Sequence, residues 1–151
     1  MKHALKLLTL SLLAVIFIGS AFHSHFSQRP SRFEEMLKLA NKGNVAAQYK
    51  IGVVYDNGEG VLEDDIEAVK WYHKAAEQGY AKAQSNLGYM YANGEGVPED
   101  YVEAYMWWNL AAAQGHKDAK KGKGIASEKM TREQIAEAQK LSREWLAKRS
   151  E

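Results

Sequence analysis

Cysteine is absent from this chain of 151 residues. Its absence excludes a disulfide framework, a thiolate metal site and a lipid-modified cysteine near the N-terminus. The fold must then be held by packing alone. Charge of one sign is also missing: 20 lysines and arginines face 19 aspartates and glutamates, with no long basic run. The electrostatic footprint that a phosphate backbone requires is not there, and no nucleic-acid partner is expected. Nor does the chain contain a G-x-S-x-G elbow, an H-E-x-x-H helix or a P-loop. No catalytic residue is therefore assigned, and no cofactor is expected. What is present is an apolar share of 46% and a charged share of 26%, the balance of an ordinary globular domain.

No apolar run reaches the roughly 20 residues that span a bilayer. The longest, Leu7 to Ile18, follows Lys2, His3 and Lys6 and precedes Gly19, Ser20 and Ala21. A basic start, a short apolar stretch and small residues form a secretory signal, so residues 1–21 are expected to be removed by cleavage after Ala21. Residues 22–30 then form a flexible lead-in, where His23 and His25 lack a third metal ligand. The expected location is periplasmic or secreted. If the segment stays uncleaved, residues 4–21 anchor the chain in the inner membrane instead, and only then is a membrane involved.

The dominant feature is a repeat. Laying Val45 to Tyr80 over Ala81 to His116 without a gap gives 18 identities in 36 positions. Such units cannot bury their own apolar faces and must stack on one another. In each copy Ala47, Ile51 and Tyr55, then Ala83, Leu87 and Tyr91, fall four apart and lay one stripe along a helix. Gly52 and Gly88 lie beside the stripe, and a glycine inside a helix points to a close approach, expected here from a neighbouring backbone. Asn57 to Val61 and Asn93 to Val97 both read NGEGV, a turn rich in residues that tolerate positive φ. Asp64 with Glu67, and Asp100 with Glu103, then resemble capping boxes, Pro98 stiffening the second approach. Ala68, Trp71 and Ala75, and Ala104, Trp107 and Ala111, follow at amphipathic spacing, and Gly79 and Gly115 end the second helix. Each block is thus two antiparallel helices.

The ends are partial copies. Ser31 to Asn41 falls on the second helix of a preceding half-unit, because Gly43, Gly79 and Gly115 keep the 36-residue step. Asp118 to Ala126 begins a third first-helix, with Ala119 and Gly124 in phase, but Lys120, Lys121, Gly122 and Lys123 predict a frayed or short one. Thr131 and Gln134 open a last helix through Ile135, Ala138, Trp145 and Leu146 that caps the stack.

The pattern A-Q-x-x-L-G-x-x-Y, then N-G-E-G-V-x-x-D, then A-x-x-W-x-x-x-A-A-x-Q-G, read from Ala83 to Gly115, resembles the Sel-one-like repeat, a relative of the tetratricopeptide repeat. The resemblance covers about residues 31–148, with full repeats at 45–80 and 81–116 and partial ones at both ends. It implies an all-α, right-handed α/α superhelix of helix pairs with a C-terminal capping helix. It also implies an adaptor that holds a protein or peptide on its concave face. Disulfide-rich members are linked to β-lactam binding, so an envelope β-lactam-binding protein or hydrolase is the alternative, although this chain lacks their cysteines.

By analogy with the tetratricopeptide groove, the inner face comes from Tyr49, Val53 and Asn57 in one copy and Ser85, Tyr89 and Asn93 in the next, with Lys82 and Lys121 close by. Tyrosine offers rigid contact area with a polar tip, and asparagine can clamp a peptide backbone. Turn chemistry explains Asn57 and Asn93 equally well, and helix packing explains Tyr49 and Tyr89. Trp71 and Trp107 read as core, whereas Trp108, in the place of Tyr72, is expected to be partly exposed. The acidic turns at Glu59, Glu63, Asp64 and Asp65 and at Glu95, Glu99 and Asp100 fail the spacing of a calcium loop, and His73 and His116 are isolated, so no metal is expected.

Overall fold

The computed structural model describes residues 31–150. The signal-like segment 1–21, its anchoring alternative 4–21 and the stretch 22–30 lie outside the described residues. The described residues belong to two units of the chain, divided between Glu35 and Met36. In the first, Ser31 and Glu34 cap each other, each backbone N–H donating to the other's side chain, at 2.7 and 3.1 Å. Apart from the first turn of the first helix, everything below concerns the second unit.

Among the described residues there are seven helices and no strand: α1 (Arg32–Asn41), α2 (Val45–Asn57), α3 (Asp65–Glu77), α4 (Ala81–Asn93), α5 (Tyr101–Ala113), α6 (Lys117–Lys129) and α7 (Arg132–Lys148). α2 and α3 pair, α4 and α5 pair, and α6 and α7 each pack on α5, continuing a superhelical solenoid.

Caps set the helix starts. Asn44 Oδ1 accepts from the Ala47 N–H at 2.9 Å, Asp64 from Glu67 at 3.0 Å, and Asp100 from Val102 and Glu103 at 2.8 and 3.1 Å. At Asp64 only half of the expected box forms, because the Glu67 carboxylate turns to Lys70 at 2.5 Å. Thr131 and Gln134 form the complete one. In the NGEGV turns the glycines alone take positive φ: Gly58 and Gly94 leave the helix at 65° and 73°. Asn57 and Asn93 close their helices with side-chain bonds to Glu59 and Glu95, at 3.3 and 3.2 Å. A Cβ on Gly96 would lie 2.4 Å from the Asp65 carbonyl, so this turn rests directly on the start of α3.

The core is built from Tyr72, Leu87, Met90 and Trp107 set among the buried alanines 75, 76, 83, 104 and 111. Large rings against small side chains allow close helix crossings. Two buried glutamines recur with it. Gln84 donates to the Ala76 carbonyl at 3.2 Å and accepts from Gln114 at 2.8 Å, while Gln48 donates to Ala40 at 3.1 Å and accepts from Gln78 at 2.6 Å. The A-Q and Q-G of each copy are thus two ends of one amide pair, which satisfies polar groups that burial would otherwise penalise.

Three expectations are corrected. Gly52 and Gly88 face rings rather than a backbone: an added Cβ would stand 2.5 Å from Tyr72 and 2.5 Å from Trp108. The third first-helix is neither short nor frayed, since α6 spans 13 residues like α2 and α4. Four of its five lysines are exposed and Lys123 turns back to Asn109 at 3.1 Å, while Ala119 and Ala126 are buried. Trp108 is buried, at 7% exposure.

α7 covers α5 with Ala138 and Ser142, the Ser142 hydroxyl donating to the Ala138 carbonyl at 2.9 Å. Trp145 meets Trp107 edge-on at 6.3 Å. The Arg149 guanidinium stacks on Trp145 and donates to the carbonyls of Glu77 and Gln78, so a cation caps the C-terminus of α3.

Candidate binding cleft between two successive first helices

Each step of the stack places a ring from a second helix between two successive first helices. At the first step the ring is Tyr72 of α3. Its face covers Gly52 of α2, its hydroxyl donates to Asp56 Oδ2 at 2.8 Å, and the polar side chain of Asn86 on α4 lies beside it. Burial pushes this hydroxyl well above the ordinary tyrosine range, so it stays a neutral donor. Tyr49 fills the adjoining space, packed on Tyr72 at 5.8 Å and on Tyr80 at 5.2 Å.

At the second step the ring is Trp108 of α5, and its surroundings change with it. An indole has no hydroxyl to satisfy. Ala92 stands where the first step has Asp56, and Gly122 where it has Asn86. The Trp108 ring is wedged between two helical glycines, with Cβ positions 2.5 Å away at Gly88 and 2.6 Å away at Gly122. Its N–H donates to the Ser85 carbonyl at 3.0 Å. Ser85 replaces Tyr49, and His116 replaces Tyr80. Four positions around the ring are thus smaller than their counterparts, and a cavity of about 480 Å³ opens between α4 and α6 with Trp108 in its lining.

Asn86, Tyr89 and Asn93 line one wall, and Lys121, Ile125 and Lys129 the other. Tyr89 and Ile125 are large side chains left 56% and 58% exposed. The Lys129 ammonium donates to the Tyr101 hydroxyl at 2.7 Å and sits 4.9 Å from that ring, contacts that hold it above the usual lysine value. Lys121 meets Asp118 at 3.6 Å, both strongly exposed, a pairing too solvated to hold the lysine in place.

Four of the eight residues expected on the inner face line this cleft: Ser85, Tyr89, Asn93 and Lys121. Ser85 is buried and offers its carbonyl to Trp108 rather than a free hydroxyl surface. Lys82 lines a second cavity of about 420 Å³ with Tyr80 and His116, and His116 also lines the first. Tyr49, Val53 and Asn57 line neither: Tyr49 and Val53 pack against the core and Asn57 holds its turn. Trp108, Ile125 and Lys129 were not expected in the site. The small residues Ala92 and Gly122, out of step with the preceding copies, are the sequence signal that would have pointed to them. Among the described residues no group of His, Cys, Asp and Glu can hold a metal ion. Among them, too, no helix is long and apolar enough to cross a membrane.

Stacked helix hairpins with a cleft between their first helices define a helical-repeat interaction module. The Sel1 repeat model matches residues 45–80 and 81–116, so the chain carries two Sel1 repeats. Repeats of this class in general mediate protein–protein interaction. Among solved structures, a protective antigen of uropathogenic Escherichia coli strains with an SLR fold is similar at 36% identity and a TM-score of 0.73, over 76% of this chain. A Sel1 repeat protein from Oxalobacter formigenes is similar at 43% identity and a TM-score of 0.56, over 57% of this chain. The chain spans 25% of the length of each of these solved chains. Comparison with curated proteins returns no match.

Proposed function

We propose that this protein is an exported adaptor that holds a protein or peptide segment in the cleft between α4 and α6, without chemistry of its own. The observation that carries this reading is the departure of the second step from the first. Substitutions that only maintained packing would have kept the space around the ring filled, as Tyr49 and Tyr80 fill it around Tyr72. Instead the space is open and rimmed by exposed Tyr89 and Ile125, large side chains of the kind that anchor interfaces. Lys2, the Leu7 to Ile18 run and Ala21 support export to the periplasm or beyond.

In-cell photocrosslinking tests the reading. A photoreactive residue replacing Ile125 is expected to give discrete adducts with a partner, and one replacing the exposed Glu144 of α7 is expected to give none. Adducts of the same pattern from both positions, or none from position 125, contradict it.

A further inference from the structure

The two walls of the cleft differ in charge. The α4 wall offers Asn86, Tyr89 and Asn93, all neutral. The α6 wall offers Lys121 and Lys129, and α6 as a whole carries five lysines against Asp118 and Glu128 in a chain that is otherwise almost neutral. These two lysines have no counterpart in the preceding first helix, where Ser85 and Asn93 hold the same places. Lys121 is not consumed by the fold, since it is 77% exposed and its one ion pair is solvated. Lys121 and Lys129 are eight residues apart, about 12 Å along a helix, which is the reach of about four residues of extended chain. Between them lies an opening lined by Trp108 and flanked by Tyr89 and Ile125, suited to one large apolar side chain. Amides on the opposite wall can pair with a peptide backbone.

We propose that the cleft takes an acidic peptide segment in extended form, one aromatic or aliphatic side chain entering over Trp108 and flanking carboxylates facing Lys121 and Lys129. The inference rests on reading the cleft as a peptide site. The apolar seat supplies most of the holding, and the lysines select by charge and speed the encounter. Among the described residues Asp118 is the one acidic residue lining this cleft; it favours a basic segment, and Lys121 and Lys129 outweigh it two to one.

Fluorescence anisotropy with the purified full chain tests this. Three labelled peptides of about nine residues are compared: one phenylalanine flanked by glutamates, the same with lysines for glutamates, and the same with alanine for phenylalanine. The first is expected to bind at least about tenfold more tightly than either of the others, and less tightly as salt rises. Lys121→Glu combined with Lys129→Glu, both at exposed positions, is expected to reverse the order of the first two with helix content unchanged. Equal affinity for glutamate and lysine peptides, lowered in both by Tyr89→Ala, overturns the charge assignment and leaves the cleft standing. Failure of the glutamate peptide to bind, or binding unaffected by Tyr89→Ala and by both lysine changes, overturns the proposal. The cleft itself is then decided by the adducts from position 125.

Discussion

Around Trp108 one ring replaces what a hydroxyl, a carboxylate and an amide do together around Tyr72. That exchange was only half legible in sequence. Gly52 and Gly88 announced a close approach, but a repeated glycine does not say whether ring or backbone approaches it, and both meet rings. Trp108 looked exposed because its counterpart is smaller, yet glycines on two helices admit the larger ring and bury it. His73 shows how the copies differ in charge as well. It lies between Tyr91, whose hydroxyl is 3.2 Å away, and Trp107, met edge-on at 5.3 Å. Burial holds its imidazole below the ordinary histidine value, against the opposing pull of Glu77. The unfolded chain therefore takes up this proton at a higher pH than the folded one. The stability that depends on a neutral His73 is complete above about pH 6.5 and is lost as the pH falls below it. Glu103, which burial raises above the usual carboxylate value, works in the opposite direction toward lower pH. The cleaner readout is therefore the difference between variants. His73→Asn, which installs the residue found at Asn109, is expected to lose less melting temperature between pH 7.5 and 5.5 than the parent chain. An equal loss in both contradicts the assignment.

Helix α6 shows where reading along an element fails. Gly122, Gly124 and a run of lysines predict weakness, since each helical glycine costs about 1 kcal/mol against alanine. Tertiary contact overrides that propensity: Ala119 and Ala126 are buried, His116 Nδ1 accepts from the Ala119 N–H at 3.4 Å, and Gly122 lies against Trp108. The 36-residue register picks out Gly124 as the partner of Gly88, but nothing stands within 4 Å of a Cβ there. The two glycines are thus predicted to respond with opposite sign. Gly124→Ala should stabilise by about 0.5–1 kcal/mol through propensity alone, and Gly122→Ala should destabilise by about 1–3 kcal/mol through overpacking on the indole. Denaturant melts of the two variants decide it, and a stabilised Gly122→Ala would show that α6 does not press on Trp108. The last helix was easier to read, because the Thr131 and Gln134 box is local. The hold of Arg149 on Glu77 and Gln78 was not, because its partners are 72 and 71 residues away.

At the scale of the whole molecule, periodicity made the solenoid legible, since a helix pair with one apolar face has no other way to bury it. The cleft was legible only in part. Tyr89, Asn93 and Lys121 follow from assigning first helices to the inner face, but Tyr49 fell on the same face and proved to be filling. The distinction lies in what each residue's neighbours lack, and those neighbours come from three helices that the linear repeat treats separately. Function in this account arises from imperfect copying: identical positions build the stack, and the smaller residues at 85, 92, 116 and 122 open it. The most direct test is an NMR titration of the nitrogen-15-labelled protein with the glutamate-flanked phenylalanine peptide, following the four indole N–H resonances. Trp108 is expected to move most, together with the backbone amides of Asn86, Tyr89 and Gly122, while Trp71 and Trp145 stay in place. A Trp108 resonance that does not move while Trp71 or Trp145 shifts would contradict it.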